Sequence, residues 1–457
     1  MTRLTKFIPK STTGLFLSFG VMLTLACGGA AKSTKGTGGT GGTGGGGGKN
    51  GDITGGGNLG NTPKPKVPTR TISKNAAKDF KKAVALWKAK EKLGWTNSNC
   101  RKVGDKFADV ADDHGKLVEA HFNAALAFHK CGILGDARKH YNKTLRVMSN
   151  HPGAISGLAE IAFQKGNVNE ARNKWKKALN LDGKLIGARN NLAYLALLEL
   201  RKTKSRDRWK TLAKDIKFNL SSSLAVDNDN VRTYVLYGLF FLEGSKRNRS
   251  RLDLAKLLMD EGAKRNANYA PLHNARGLYH MRRGNLGLAL KSFMKAVSMD
   301  PKFYEARMNV GNMSLGFRKY DTAETQFAAV LKSQPKNYDA VVGLGVAQRG
   351  MGKISNAESS YNRAMKLDSS RGEAYFNMAV LYKDFRASKA TQVDKVMGLY
   401  KTSLKYFRQF RTKKGITKAS KAETDESVEK IQKTLKSLEG VKKALEMQKK
   451  LNKNKKK

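Results

Sequence analysis

The residues of this 457-residue chain that could carry chemistry are seven histidines, three cysteines and a glycine cluster ending in lysine. A metal-dependent hydrolase places two imidazoles one helical turn apart around a carboxylate. His114, His121, His129, His140, His151, His273 and His280 include no HExxH pair. His273 and His280 lie seven residues apart and can share a helix face, but no carboxylate stands at ligand spacing. Neither Cys100 nor Cys131 belongs to a CxxC motif, no serine sits in a GxSxG elbow, and no acidic pair has a context that would raise one pKa. The glycines before Lys49 fail as a phosphate loop, because the first required glycine is Thr43 and Asn50 stands where Ser or Thr is needed. The expectation is a protein that binds rather than catalyses, with no cofactor and no metal.

The third cysteine has a different context. Residues 1–26 read as an export signal: Arg3, Lys6 and Lys10 precede an uncharged apolar run from about Leu15 to Ala26. That run is far shorter than the ~20 residues a spanning helix needs. Leu23-Thr24-Leu25-Ala26-Cys27 resembles a bacterial lipobox, which implies lipidation of the Cys27 sulfur after cleavage. Ala26 fits the pattern, whereas Thr24 stands where Leu is usual and Leu25 where a small residue is usual; the alternative is an ordinary cleaved signal. Residues 27–72 are dominated by glycine, cannot bury a core, and are expected to form a disordered tether. Gly28, where Asp is absent, is similar to lipoproteins sorted to the outer membrane of Gram-negative cells.

Lys and Arg number 87 against 37 Asp and Glu, a formal charge of +50. An exported protein meets anions other than nucleic acid, so an acidic partner or an anionic envelope polymer is the physical candidate, and a generally lysine-rich proteome is the alternative. The charge is scattered along the chain, which favours that alternative. A helix from about Cys100 to Asp113 and another from about Lys116 to Cys131, turned at Gly115, would bring the two body cysteines together at their far ends. An oxidising compartment then favours a disulfide; the alternative is two buried free thiols.

The elements that position these residues come from a repeat. Between about Val118 and Phe407 the sequence resembles itself at a period near 34 residues, and it resembles the helix-turn-helix unit of tetratricopeptide repeat (TPR) proteins. APLHNARGLYHMRRGNLGLALKSFMKAVSMDP, beginning at Ala270, is the clearest unit: Gly277 and Ala289 permit close helix approach, Phe293 fills the space, Gly284 turns the chain and Pro301 ends it. The same pattern appears at Ala125, Gly132, Ala137 and Tyr141, at Ala159, Gly166, Ala171 and Trp175, at Gly311, Ala323 and Phe327, and at Gly345, Gly352, Ala357 and Tyr361. Units opening at Asn191 and Tyr237 have second helices displaced by basic insertions around Arg201 to Arg208 and Ser245 to Arg251, and a last unit near Gly372 reaches its second helix late, at Tyr400.

The expected architecture is all-α: a degenerate helical pair at 73–117, a TPR array of about eight units at 118–410, and a Lys-rich helix and tail at 411–457. Val428, Ile431, Leu435, Leu438, Val441 and Leu445 read as one stripe of a capping helix, with a coiled-coil or partner-binding helix as the alternative. The resemblance implies a right-handed superhelix whose first helices line a concave surface. It also implies that Asn123, Asn191, Asn274, Asn309 and Asn377, at the sixth place of their units, can clamp a ligand backbone; Asn being merely common there is the alternative.

With its lipobox, glycine tether, phrases such as YAPLHNARGLYHMRRGN and lysine-rich tail, the chain resembles the myxobacterial adventurous gliding motility TPR lipoproteins. That resemblance implies an outer-membrane lipoprotein facing the periplasm, anchored by lipid and bound to other envelope proteins of a trans-envelope machine. The rival readings are a pilotin-like factor for a secretin or pilus, and a basic module holding anionic cell-wall polymer.

Overall fold

The structure, a computed structural model, describes residues 72–414 and 416–454. The signal, Cys27 and all but the last residue of the tether lie outside them. The chain divides into two compact units between Ala306 and Arg307. Among the described residues all regular structure is helical, with one isolated parallel bridge between Arg371 and Lys414. None of these helices is long and apolar enough to cross a membrane.

The first unit contains α1 (Lys74–Leu93), α2 (Asn97–Asp113), α3 (Val118–Lys130), α4 (Leu134–Val147), α5 (Pro152–Gln164), α6 (Val168–Leu181), α7 (Ile186–Lys202), α8 (Arg206–Val226), α9 (Val231–Gly244), α10 (Arg251–Arg265), α11 (Ala270–Arg283) and α12 (Leu286–Met299). α13 (Tyr304–Gly316) crosses the division. The second unit continues with α14 (Tyr320–Ser333), α15 (Tyr338–Gly350), α16 (Ile354–Leu367), α17 (Glu373–Val380), α18 (Val393–Arg411) and α19 (Lys418–Asn454). From α3 to α18 the helices form eight successive hairpins, the number the period predicts.

Aromatic rings set against absent side chains hold these hairpins together. A Cβ at Gly345 would lie 2.5 Å from the Tyr361 ring, and one at Gly311 2.9 Å from the Phe327 ring, so only glycine lets each ring seat in its own hairpin. The Phe327 ring also reaches the following hairpin, where a Cβ at Gly343 would lie 2.5 Å from it. Side-chain caps fix several helix starts: Ser73, Thr96, Ser205, Asn230 and Asn337 each accept a hydrogen bond from the backbone N–H three residues on. Gly132, Gly166, Gly284 and Gly352 turn the chain within hairpins at positive φ. Midway between the last two, Arg318 adopts φ 59°, so the turn keeps its geometry where the sequence offers no glycine.

Three details differ from the sequence reading. The first basic insertion is absorbed mainly by longer helices, since α7 has 17 residues and α8 has 21. The delay before the last second helix is a π-turn at Leu381–Arg386 followed by a 3-10 turn at Ala387–Lys389. The expected single stripe on α19 splits: Val428, Ile431 and Leu435 are buried, while Val441 and Leu445 are exposed.

Candidate binding surface

Ala125, Ala159 and Ala193 are spaced by 34, and so are Gly277, Gly311, Gly345 and Ala379. Two residues before these anchors stand Asn123, Gly157, Asn191, Ala275, Asn309, Gly343 and Asn377. Four of the five candidate asparagines therefore share a register. Asn274 is one residue out of it, and it is half-buried where the other four are buried. A Cβ at Gly157 would overlap the Tyr141 ring, as one at Gly343 would overlap Phe327. This position thus presses on the aromatic of the preceding hairpin.

The asparagines in register are tied into the fold. Asn191 on α7 donates from Nδ2 to Glu160 Oε2 on α5 at 2.6 Å and accepts from Arg232 Nη2 on α9 at 2.6 Å. A polar line therefore runs across three successive first helices, and all three residues are buried. Burial pushes the Glu160 carboxyl up to about 7, outweighing the Arg232 charge and the Asn191 hydrogen bond. Glu160 Oε1, Gln164 Nε2 and Oε1, and Arg232 Nη1 are buried without a hydrogen-bond partner among the described residues. Such groups are costly to leave unpaired.

A second polar group lies at the far ends of α7 and α9, where Arg201 Nε stands 3.7 Å from Glu243 Oε2 and Lys246 also pairs with Glu243. In the second unit Asn377 Nδ2 donates to the Glu373 carbonyl at 2.9 Å, Arg349 donates to the Asn377 carbonyl at 3.3 Å, and Arg349 covers the Phe385 ring. Tyr382 and Arg386, both in the π-turn, meet Glu358 on α16. Neither Glu160 nor Arg232 was singled out from the sequence. The signal was a charge inside an apolar run, as in Leu158-Ala159-Glu160-Ile161, with partners 31 and 41 residues away along the chain.

Cys100 and Cys131 are joined by a disulfide with Cα atoms 6.1 Å apart, linking α2 to the residue that ends α3. Lys130, beside it, lies over the Trp87 and Trp95 rings. Reduction of this bond is expected to cost about 3–4 kcal/mol by the chain-entropy argument for a 31-residue separation. Urea unfolding with and without reductant measures it, and unchanged midpoints would refute it.

The histidines serve packing. The His140 ring stacks on Phe128, His151 lies against Phe122 and caps α5, and His129 Nδ1 is 3.1 Å from the Tyr141 hydroxyl. His273 Nε2 donates to the Ala267 carbonyl at 2.8 Å. Among the described residues no group of three or more His, Cys, Asp or Glu could hold a metal.

The second basic insertion meets Trp209, the residue that follows the first. Arg247 and Arg251 lie over the Trp209 ring at 4.9 and 5.3 Å, and Arg208, next to Trp209 in sequence, pairs with Glu199. The result is a cationic patch anchored on an indole.

A family model described as a tetratricopeptide repeat matches residues 270–303, and a second of the same description matches residues 314–374. The fold is similar to yeast Tom70, at 13% identity over 79% of this chain and 70% of that one, with a TM-score of 0.44. It is also similar to residues 41 to the end of MamA from Desulfovibrio magneticus RS-1, at 18% identity over 40% and 98% with a TM-score of 0.34. A third similarity is to Pseudomonas aeruginosa PilF, at 18% identity over 53% and 99% with a TM-score of 0.37. No curated protein sequence matches the chain.

Proposed function

We propose that this chain is a tetratricopeptide-repeat scaffold of a bacterial cell envelope, held to the outer membrane by lipid on Cys27 and binding other envelope proteins along its first helices. The observation that carries the binding role is the polar line Glu160–Asn191–Arg232, which joins three successive first helices into one surface. The Cys100–Cys131 disulfide supports an oxidising compartment. The resemblance of the tether, repeats and lysine-rich tail to gliding motility lipoproteins favours a trans-envelope motility machine, and the scaffold itself performs no catalysis.

Capture from detergent-solubilised envelopes, comparing wild type with Arg232→Ala, tests the reading. A set of membrane motility proteins retained by wild type and lost by the variant is the expected result. A single secretin would favour a pilotin-like role, and no difference between the two would remove the polar line from recognition. Metabolic labelling with a fatty-acid analogue, lost in Cys27→Ser, checks the anchor separately. The patch around Trp209 favours a second reading, an anionic cell-wall polymer as ligand. Retention on purified lipopolysaccharide or peptidoglycan that collapses with salt would identify it.

A further inference from the structure

Helix α19 has 37 residues and is about 55 Å long at 1.5 Å per residue. Its early part is fixed to the second unit. Val428, Ile431 and Leu435 are buried in a cluster with Phe376, Leu404, Phe407 and Phe410, and Leu438 packs half-buried against it. Further along, Lys442 Nζ donates to Asp394 Oδ1 at 2.6 Å, which ties this face to the start of α18.

The apolar residues that follow do not continue that face. At about 100° of rotation per residue, Val428, Ile431, Leu435 and Leu438 fall within an arc of about 80°. Val441, Ala444, Leu445, Met447 and Leu451 fall in a second arc about 160° wide, centred about 140° from the first. Val441, Leu445, Met447 and Leu451 are 45, 44, 64 and 63% exposed. Glu439, Lys442, Lys443, Glu446, Lys449 and Lys450 occupy the opposite side of the same turns. Gly440, Gln448 and Asn452 interrupt the apolar arc without adding charge. The helix is therefore amphipathic twice, and its second apolar face is turned away from the body that the first one covers.

We infer that residues 439–454 form an interfacial helix that lies on an anionic lipid bilayer, with Val441, Leu445, Met447 and Leu451 at the boundary between headgroups and acyl chains. Two observations choose this occupant. From residue 439 to the end the chain carries eight lysines against two glutamates, so its counterpart must be negative. The apolar arc is also far wider than the narrow seam through which one helix grips another, while a fluid surface wets a broad face. Long lysine stems can run along such a surface and keep their ammonium groups among phosphates. Lipidation at Cys27 and this helix would be two separate attachments, and one acyl signal with one basic patch is a combination that holds a protein on a membrane. The inference concerns the helix alone and survives if the lipid on Cys27 does not.

Sedimentation of the full chain with vesicles tests it, everything N-terminal to α19 being common to all samples. Vesicles containing phosphatidylglycerol are expected to carry down roughly tenfold more protein than pure phosphatidylcholine vesicles. Leu445→Asp with Leu451→Asp, and separately Lys449→Glu with Lys450→Glu, should each erase that preference while leaving the thermal unfolding midpoint unchanged. Equal binding to both vesicle types, or variants that bind like wild type, would overturn the inference. So would concentration-dependent self-association abolished by the leucine variants, which would assign the face to a second copy.

Discussion

Phe327→Ala is expected to lower the stability of the second unit by about 3–5 kcal/mol. The ring is fully buried on α14, and it lies against Gly311 of its own hairpin and Gly343 of the next. Truncating a core aromatic loses its transfer free energy and leaves a cavity whose cost depends on how far the walls can close in. Here two walls are bare backbone with no side chain to swing inward, which places the loss toward the upper end. Because the ring joins two hairpins, both should loosen together. Urea unfolding followed by circular dichroism gives the magnitude, and amide exchange in α13 and α15 gives the extent. Phe218→Ala, at a ring 63% exposed, serves as the contrast and should cost less than about 1 kcal/mol. Similar losses from both variants would remove the shared ring from the account of cohesion.

Changing pH should expose a balance between two sets of buried groups. Burial lowers the pKa of His129 and of His140 to about 4, against about 6.5 in the unfolded chain. Both imidazoles are nearly inaccessible, at 1% and 5% exposure. The unfolded chain therefore takes up protons first. The stabilisation is complete above pH 6.5, is lost as pH falls toward 4, and amounts to about 3 kcal/mol for each histidine. Glu160 and Glu305 work in the opposite sense, because burial raises each to about 7. Their contribution is complete below the unfolded value near 4.5 and is lost as pH rises through 7.

Between pH 4.5 and 6.5 the two sets nearly cancel, so wild type should show a shallow dependence that single variants unmask. His140→Phe is expected to become relatively more stable on acidification, and Glu160→Gln relatively less. Each should differ from wild type by about 2.5 kcal/mol in the change between pH 7 and pH 4.5. Urea midpoints at the two pH values measure this, and parallel profiles for all three proteins would refute the assignment.

The helical hairpins were legible because close packing leaves a periodic mark. Gly277, Gly311, Gly345 and Ala379 recur because a backbone must pass near a ring, and no other residue types satisfy that as well. The polar line was not legible. Its members occupy different places in their units and meet only once three first helices lie side by side, so no local spacing announces Glu160 and Arg232. Asn274 shows the limit from the other direction: it stands one residue out of the register that Asn123, Asn191, Asn309 and Asn377 share. The stripe on α19 was misread for an arithmetical reason. Each step looks helical, yet a step of three turns back about 60°, so the two consecutive steps of three from Leu435 to Leu438 to Val441 carry the face back about 120°. Between α13 and α14, Arg318 shows that the 34-residue count outranks the turn residue, since the turn forms there at positive φ without glycine.

That constant count bears on how such a chain can change length. Between Gly277 and Ala379, removing or duplicating a stretch of 34 residues keeps the small residues and the rings in the same register. Any other number puts side chains where bare backbone is needed. The repeat can thus gain or lose residues and keep its packing only in whole steps of 34.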